Sequence, residues 1–184
     1  KYSGDKYQGD WVLGRKEGSG RYTSVSGDIY KGTVLNDKPH GKGEFVYGPK
    51  SILAGSTYVG GYKDGKFNGY GIFTFGPNTD SAGDKYNGQW IDGKPNVKGK
   101  YISINGATYV GEIKDGKPHG KGKYKWGSGS QFSGDTYVGQ FVNGKKTGRG
   151  SYKYANGDSY TGWFLNGKKH GIGVETYADG DRYA

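Results

Sequence analysis

Three histidines, 17 carboxylates and 27 basic side chains, with no cysteine, are the chemical equipment of this 184-residue chain. Metal ligation or proton transfer needs such groups within a few ångströms of one another. His40, His119 and His170 each stand just before a glycine, in the second, fifth and seventh copies of a repeated unit. At ~4.8 Å per strand and two strands per copy, their imidazoles fall roughly 20–30 Å apart. That separation predicts no shared metal and no relay within one chain. Zero cysteine removes disulfides and thiolate ligands, and fits a reducing compartment. Asp28, Asp64, Asp92, Asp115, Asp158 and Asp179 lie in turn sequences, where a carboxylate accepts local backbone hydrogen bonds. No two carboxylates occupy the contrasting environments that acid/base work requires. No Ser-His-Asp or Cys-His set can be assembled. The glycines sit in hairpins and not between a strand and a helix, so no phosphate loop is read. The expectation is no catalytic residue, no metal, no cofactor and no enzyme.

The basic residues are the ones that fall in register. Their positions follow from the unit that carries them. It begins at Tyr7, Tyr30, Tyr58, Tyr86, Tyr109, Tyr137 and Tyr160, with a further start at Tyr183, at intervals of 23 or 28 residues. A fixed period in this range marks a repeat array. With the leading Tyr as position zero, position 2 is Gly9, Gly32, Gly60, Gly88, Gly111, Gly139 and Gly162. Position 4 is bulky: Trp11, Val34, Tyr62, Trp90, Ile113, Phe141 and Phe164. Large, small, large at alternate positions puts these side chains on one face of a β-strand. Asp64-Gly65, Asp92-Gly93, Asp115-Gly116, Asn143-Gly144 and Asn166-Gly167 then predict tight hairpin turns. A Gly-x-Gly pair at positions 11 and 13 opens a return strand, with Val97 replacing the first Gly in the fourth copy. Aromatics at positions 15 and 17 complete it, among them Tyr47, Phe75, Trp126, Tyr154 and Tyr177. Copies two, three and five carry five extra residues before the next Tyr, read as longer loops at one edge.

The recurring Tyr-x-Gly-x-Trp/Phe-x-x-Gly-Lys-x-His-Gly-x-Gly resembles the MORN repeat, and the resemblance covers essentially the whole chain, residues 1–184. Bacterial choline-binding repeats share Gly-Trp and Tyr motifs, but lack the registered Gly-x-Gly and the basic residue straight after the turn. The resemblance implies an all-β fold: an elongated single-sheet solenoid of stacked antiparallel β-hairpins, twisted and trough-like. Partial repeats at both ends, Lys1–Lys6 and Asp179–Ala184, read as a piece of a longer protein. The family's pattern places a His at position 10, which makes the three histidines turn or packing residues.

Two surfaces carry the functional expectations. The first is an aromatic trough. The 4 Trp, 18 Tyr and 7 Phe are more rings than one sheet buries. Trp11, Tyr62, Trp90, Phe141, Tyr47, Phe75, Trp126, Tyr154 and Tyr177 are the candidates to hold a partner peptide or helix. The second is a basic stripe at position 8: Arg15, Lys38, Lys66, Lys94, Lys117, Lys145 and Lys168. Lys16, Lys146 and Lys169 add to it at position 9, and Lys42, Lys98, Lys121 and Arg149 at position 12. With net charge +10 it suits an acidic surface, or it is a solvated stripe that keeps an edge-rich sheet from pairing. The resemblance implies a non-catalytic scaffold for protein–protein interaction, cytoplasmic, in the cytoskeleton or a cilium or axoneme. Lys94–Tyr101 loosely resembles an irregular repeat of radial spoke head proteins. The alternative it implies is a peripheral membrane module binding acidic phospholipid. MORN arrays also precede lipid kinase or lysine methyltransferase domains, which would lie outside this sequence. Uncapped sheet ends make a homo-oligomer plausible. The basic stripe has no accompanying nucleic-acid motif, which argues against nucleic acid as partner.

Overall fold

A computed structural model describes residues 4–184 of the chain. The reading of Lys1–Lys6 as the tail of a preceding repeat falls partly on residues 1–3, outside the described ones. Every described element is a β-strand, and the strands follow in chain order, β1 to β15, through one open antiparallel sheet. Two compact units divide the chain. The unit Lys1–Lys94 holds β1 (Lys6–Val12), β2 (Arg15–Thr23), β3 (Ile29–Leu35), β4 (Lys38–Val46), β5 (Thr57–Lys63), β6 (Lys66–Thr74) and β7 (Lys85–Ile91). The unit Pro95–Ala184 takes nearly all of β8 (Lys94–Ile102), then β9 (Thr108–Lys114), β10 (Lys117–Lys125), β11 (Thr136–Val142), β12 (Lys145–Lys153), β13 (Ser159–Leu165), β14 (Lys168–Thr176) and the short β15 (Arg182–Tyr183).

Each hairpin joins a strand of 7 residues to one of 9. The tip is the predicted two-residue turn, with both residues left-handed: Asp64 at φ 51 and Gly65 at φ 84, Asn143 at φ 50 and Gly144 at φ 81. The second strand's surplus is absorbed by a bulge. In β11 and β12, Gly139 pairs Gly150, but the next pair is Gln140 with Thr147, which leaves Gly148 and Arg149 unopposed within the hairpin. Those two residues instead pair Phe164 and Trp163 of the following repeat. Position 11 is therefore the residue at which the strand bends, and it is left-handed in all seven copies: Gly18, Gly41, Gly69, Val97, Gly120, Gly148 and Gly171 lie between φ 60 and φ 80.

In β1, β3, β5 and β9 the bulge leaves position 3 without a partner in its own hairpin, and in all seven copies the leading tyrosine donates to the position-3 carbonyl. The hydroxyl of Tyr30 donates to Thr33 O at 2.6 Å, Tyr58 to Gly61 O at 2.9 Å, Tyr109 to Glu112 O at 2.6 Å and Tyr137 to Gln140 O at 3.1 Å. Tyr7, Tyr86 and Tyr160 make the same bond to Asp10, Gln89 and Trp163. To reach that carbonyl the ring must lie flat across the strand pair. It does so over two glycines: a Cβ on Gly150 would stand 2.5 Å from the Tyr137 hydroxyl, and one on Gly139 only 2.4 Å. No side chain but hydrogen fits there. Tyr30, Tyr58, Tyr109 and Tyr137, so held, are among the most deeply buried side chains, with Tyr58 and Tyr137 fully buried.

Two outcomes are expected. Burial pushes the phenols of Tyr30, Tyr58, Tyr86, Tyr109 and Tyr137 up to about 12. A raised folded-state pKa stabilises fully below the ordinary value of 10.0 and is lost as pH climbs through about 12. The urea midpoint should therefore hold level from neutral pH to about pH 9 and fall steeply between about 10 and 12. The part of the tyrosinate absorbance that belongs to these five phenols should rise only together with unfolding; ionisation of every tyrosine near pH ~10 in the folded chain would contradict their burial. Val97 is β-branched and left-handed at φ 66. That conformation costs an L side chain about 1–2 kcal/mol, so Val97→Gly should raise stability by about 1 kcal/mol. An unchanged or lowered urea midpoint would show that the backbone at Val97 carries no strain.

Candidate functional site

One face of the sheet, here the ring face, carries positions 0, 4, 9, 15 and 17. Rings at positions 0 and 4 interlock from copy to copy. Tyr58 meets Tyr62 edge-on at 5.3 Å and Trp90 of the next repeat at 5.2 Å; Tyr137 meets Phe141 at 5.1 Å and Phe164 at 4.9 Å. Phe67 stacks on Tyr58 at 3.7 Å. Each such pair adds about 0.5–1.5 kcal/mol beyond the area it buries. Of the nine expected trough residues, Tyr62, Trp90 and Phe141 are consumed by this stack and buried to about 5 % exposure. Trp11 is exposed, since β1 has no preceding strand among the described residues. At position 17, Tyr47 and Phe75 of the first unit and Trp126 and Tyr154 of the second are half-buried, and Tyr177 is exposed. Beside Trp126 the inserted loop 127–136 presents Phe132, 6.1 Å from the indole and half-exposed.

The basic residues do not form one stripe; they divide among three surfaces. All seven position-8 side chains are exposed at the hairpin tips. Two reach the turn of the next copy: Arg15 donates to Asn36 Oδ1 at 3.1 Å, and Lys66 lies 3.8 Å from Asp92. The position-9 lysines turn onto the ring face. Lys146 sits over Trp126, Tyr137, Tyr152 and Phe164 at 4.5–5.6 Å, and burial in that cage pulls its pKa down. Lys16 covers Tyr7 and Tyr22; Lys169 covers Tyr154 and Tyr160 and pairs with Glu175. The position-12 residues point to the opposite, back face, where Arg149 stacks on Trp163 at 5.6 Å.

Both edges of the sheet are tied from repeat to repeat. At the tips, the position-7 amide donates to the position-9 carbonyl of the preceding copy, as in Gly65 N to Pro39 O, Gly116 N to Pro95 O and Gly144 N to Pro118 O, at 2.9–3.0 Å. At the other edge the residue two places before the leading Tyr accepts an amide about twenty residues on. Asp28 accepts from Gly48 at 2.7 Å, Ser56 from Gly76 at 2.8 Å, Asp135 from Ala155 at 2.8 Å and Asp158 from Ala178 at 2.9 Å. Asp5 and Asp135 accept in addition from the Tyr22 and Tyr152 hydroxyls. Of the six carboxylates expected to make local turn bonds, Asp28 and Asp158 also clasp one copy to the next, while Asp179 accepts locally from the Asp181 amide. The signal was present, as Asp or Ser stands two places before Tyr7, Tyr30, Tyr58, Tyr86, Tyr137 and Tyr160. The three inserted loops close on the same pair of backbone bonds as the short ones, for example Trp126 N to Asp135 O and Tyr154 N to Asp158 O.

His40 Nδ1 lies 4.0 Å from Asp64 Oδ1, and the backbones of His40 and His119 rest against the Tyr30 and Tyr109 hydroxyls. These histidines pack at the bulge, and His170 is exposed at its own. Among the described residues no three His, Cys, Asp or Glu side chains are placed to hold a metal.

The family model of the MORN repeat matches seven segments: 7–29, 30–51, 58–79, 86–108, 109–131, 137–159 and 160–182. No curated protein matches the chain. Among solved structures the chain is similar in fold to the TCP domain of SAS-4 (dCPAP) of Drosophila melanogaster, solved in complex with a proline-rich motif of Ana2 (dSTIL). The identity is 9 %, the TM-score 0.53, and the match covers 97 % of this chain and 87 % of that one. Seven matched segments, one for each bulged hairpin with its tyrosine on a glycine pair, mean that the chain belongs to the MORN-repeat family.

Proposed function

We propose that this chain is a non-catalytic interaction scaffold that holds an extended partner segment on the ring face, within a cytoskeletal or ciliary assembly. The observation that carries the reading is the partition of the rings. From the second copy onward those at positions 0 and 4 are sealed in the stack, while the rings at position 17 in each unit stay partly open to solvent. Rings held rigidly by the sheet lose little freedom when a partner covers them. A row of half-open aromatics also suits the ridged surface of a proline-rich peptide, which docks between aromatic side chains. The similar TCP domain binds a proline-rich motif, in keeping with that chemistry.

A second reading is favoured by the tips. Position 8 is basic in every copy, and beside it in the hairpin pairing stand exposed apolar residues: Val12 opposite Arg15, Leu35 opposite Lys38, Val142 opposite Lys145 and Leu165 opposite Lys168. Basic and apolar groups side by side suit the headgroup layer of an acidic membrane, at about 1 kcal/mol per basic residue.

One experiment separates the two. A labelled proline-rich peptide is titrated against the wild type and against the double variant Trp126→Ser, Tyr154→Ser, with fluorescence anisotropy as the readout. The scaffold reading expects binding by the wild type that weakens about 10-fold or more in the variant. Equal binding by both proteins, or none by either, would remove the ring face as the site. In parallel, flotation with vesicles containing acidic phosphoinositide compares the wild type with the Lys94→Gln, Lys117→Gln, Lys145→Gln, Lys168→Gln variant. Salt-sensitive flotation lost in the variant would establish the membrane reading; no flotation at low salt would end it.

A further inference from the structure

The back face of the unit Pro95–Ala184 carries a feature that neither reading uses. Second strands β8, β10 and β12 place cations at alternate residues: Lys100 on the first, Lys121, Lys123 and Lys125 on the second, Arg149 and Lys153 on the third. All six are exposed, and none forms an ion pair with a carboxylate among the described residues. Residues directly opposed across antiparallel strands share a face. Lys100 opposes Val110, Val110 opposes Lys123, and Lys123 opposes Val138. Likewise Lys125 opposes Thr136, and Thr136 opposes Lys153. The result is a grid, not a stripe. Its cations stand roughly 7 Å apart along a strand and roughly 10 Å apart across two strands.

The grid has an apolar floor. Val110 and Val138 lie between the lysine rows, and with Lys121, Lys123, Gln140 and Arg149 they line a shallow recess of about 490 Å³. The glycines beneath, Gly122 and Gly139, belong to pairs whose Cβ space is taken by rings on the other face, so no side chain fills the recess from below. The face's only carboxylate among the described residues is Glu112, and it is engaged by the Lys121 amide at 3.1 Å. Positive charge is thus collected in one place, with little local neutralisation.

We infer that this grid docks an acidic, extended peptide segment of a protein partner, its carboxylates on the lysines and its occasional apolar side chains on Val110 and Val138. The observations favour a peptide over the other polyanions. Single-stranded nucleic acid binds through successive aromatic platforms. Here the one aromatic side chain on the back face of the unit's described strands is Trp163, a single half-exposed ring beside Arg149 and not a succession of platforms. A membrane surface takes large apolar side chains that project past the cations, whereas the apolar groups here are the short Val110 and Val138, half-exposed between longer lysines. A peptide side chain can reach that floor. The inference is independent of the ring-face reading, because the two faces share no side chain.

The test uses the full chain and a labelled glutamate-rich peptide of roughly 12 residues with a leucine at about every third place, long enough to cross the rows. Two triple variants with equal loss of charge are compared: Lys121→Gln, Lys123→Gln, Lys125→Gln on the grid, and Lys117→Gln, Lys145→Gln, Lys168→Gln at the tips. Grid substitution is expected to weaken binding by about 10-fold and tip substitution by less than about 2-fold, with both affinities falling as salt rises from about 50 to about 300 mM. Every substituted position is exposed, so thermal midpoints should stay with the wild type; if the grid triple variant does not fold, Lys123→Gln alone takes its place, with a smaller expected loss. Equal losses in the two variants, or none in the grid variant, would overturn the inference by reducing binding to net charge. A single-stranded oligonucleotide or an acidic vesicle of matched charge that binds the grid more tightly than the peptide would also overturn it, and would assign the grid to that polyanion.

Discussion

The tyrosine hydroxyl that reaches the position-3 carbonyl is the interaction on which the rest of this molecule depends. A hairpin with strands of 7 and 9 residues cannot pair along its full length, and in β1, β3, β5 and β9 the mismatch leaves position 3 without a partner in its own hairpin. A buried carbonyl left unpaired costs about 1–3 kcal/mol. The leading Tyr removes that cost, but only if its ring crosses the strand pair at backbone contact, and that contact requires glycine at positions 2 and 13. The left-handed bend at position 11 follows from the same bulge. Four features of the motif, Tyr, Gly, Gly-x-Gly and the strand lengths, are therefore one constraint seen at four places.

Having crossed its own hairpin, the ring faces the position-4 side chain of the next copy. This is how a local solution becomes a long-range one. Tyr30 meets Tyr62, Tyr58 meets Trp90, and Tyr109 meets Phe141, each about 5 Å apart. The bulge contributes as well, because the two residues unopposed within one hairpin become ladder partners of the next. A single copy would leave half of these contacts unmade, as expected of an array whose stability lies in its nearest-neighbour interfaces. The tip amides and the Asp clasps add one bond at each edge of the same interface.

Much of this was legible in the residues, and the illegible part has a physical reason. Period-two alternation at Tyr58, Gly60 and Tyr62 gave the first strands, and Asp64-Gly65 gave the turn, because both rest on local backbone rules. The Gly-x-Gly was correctly placed in the return strand, but its two glycines do different things: Gly148 bends the strand and Gly150 admits a ring. Nothing in sequence order alone distinguishes them. In sequence, position 8 repeats as one basic stripe to which positions 9 and 12 add. In a strand, neighbours face opposite ways, and the bulge at position 11 shifts that alternation once more. Lys145, Lys146 and Arg149 thereby reach a tip, a ring cage and the back face. The Asp clasps were missed for a related reason: a carboxylate in a turn sequence suggests a local acceptor, and its true donor lies about twenty residues on.

The edge bonds have a mechanical meaning. Within either unit, successive repeats meet side by side, so tension applied between two distant repeats pulls across the strands and not along them. The hydrogen bonds of each interface are then opened in sequence from an edge instead of being sheared together. The bonds at those edges, Asp135 to the Ala155 amide and the Gly144 amide to the Pro118 carbonyl, are the ones loaded first. Such a material yields at low peak force, one repeat at a time, and each released hairpin lengthens the chain while its neighbours stay folded. Re-closing needs only a neighbouring repeat as template.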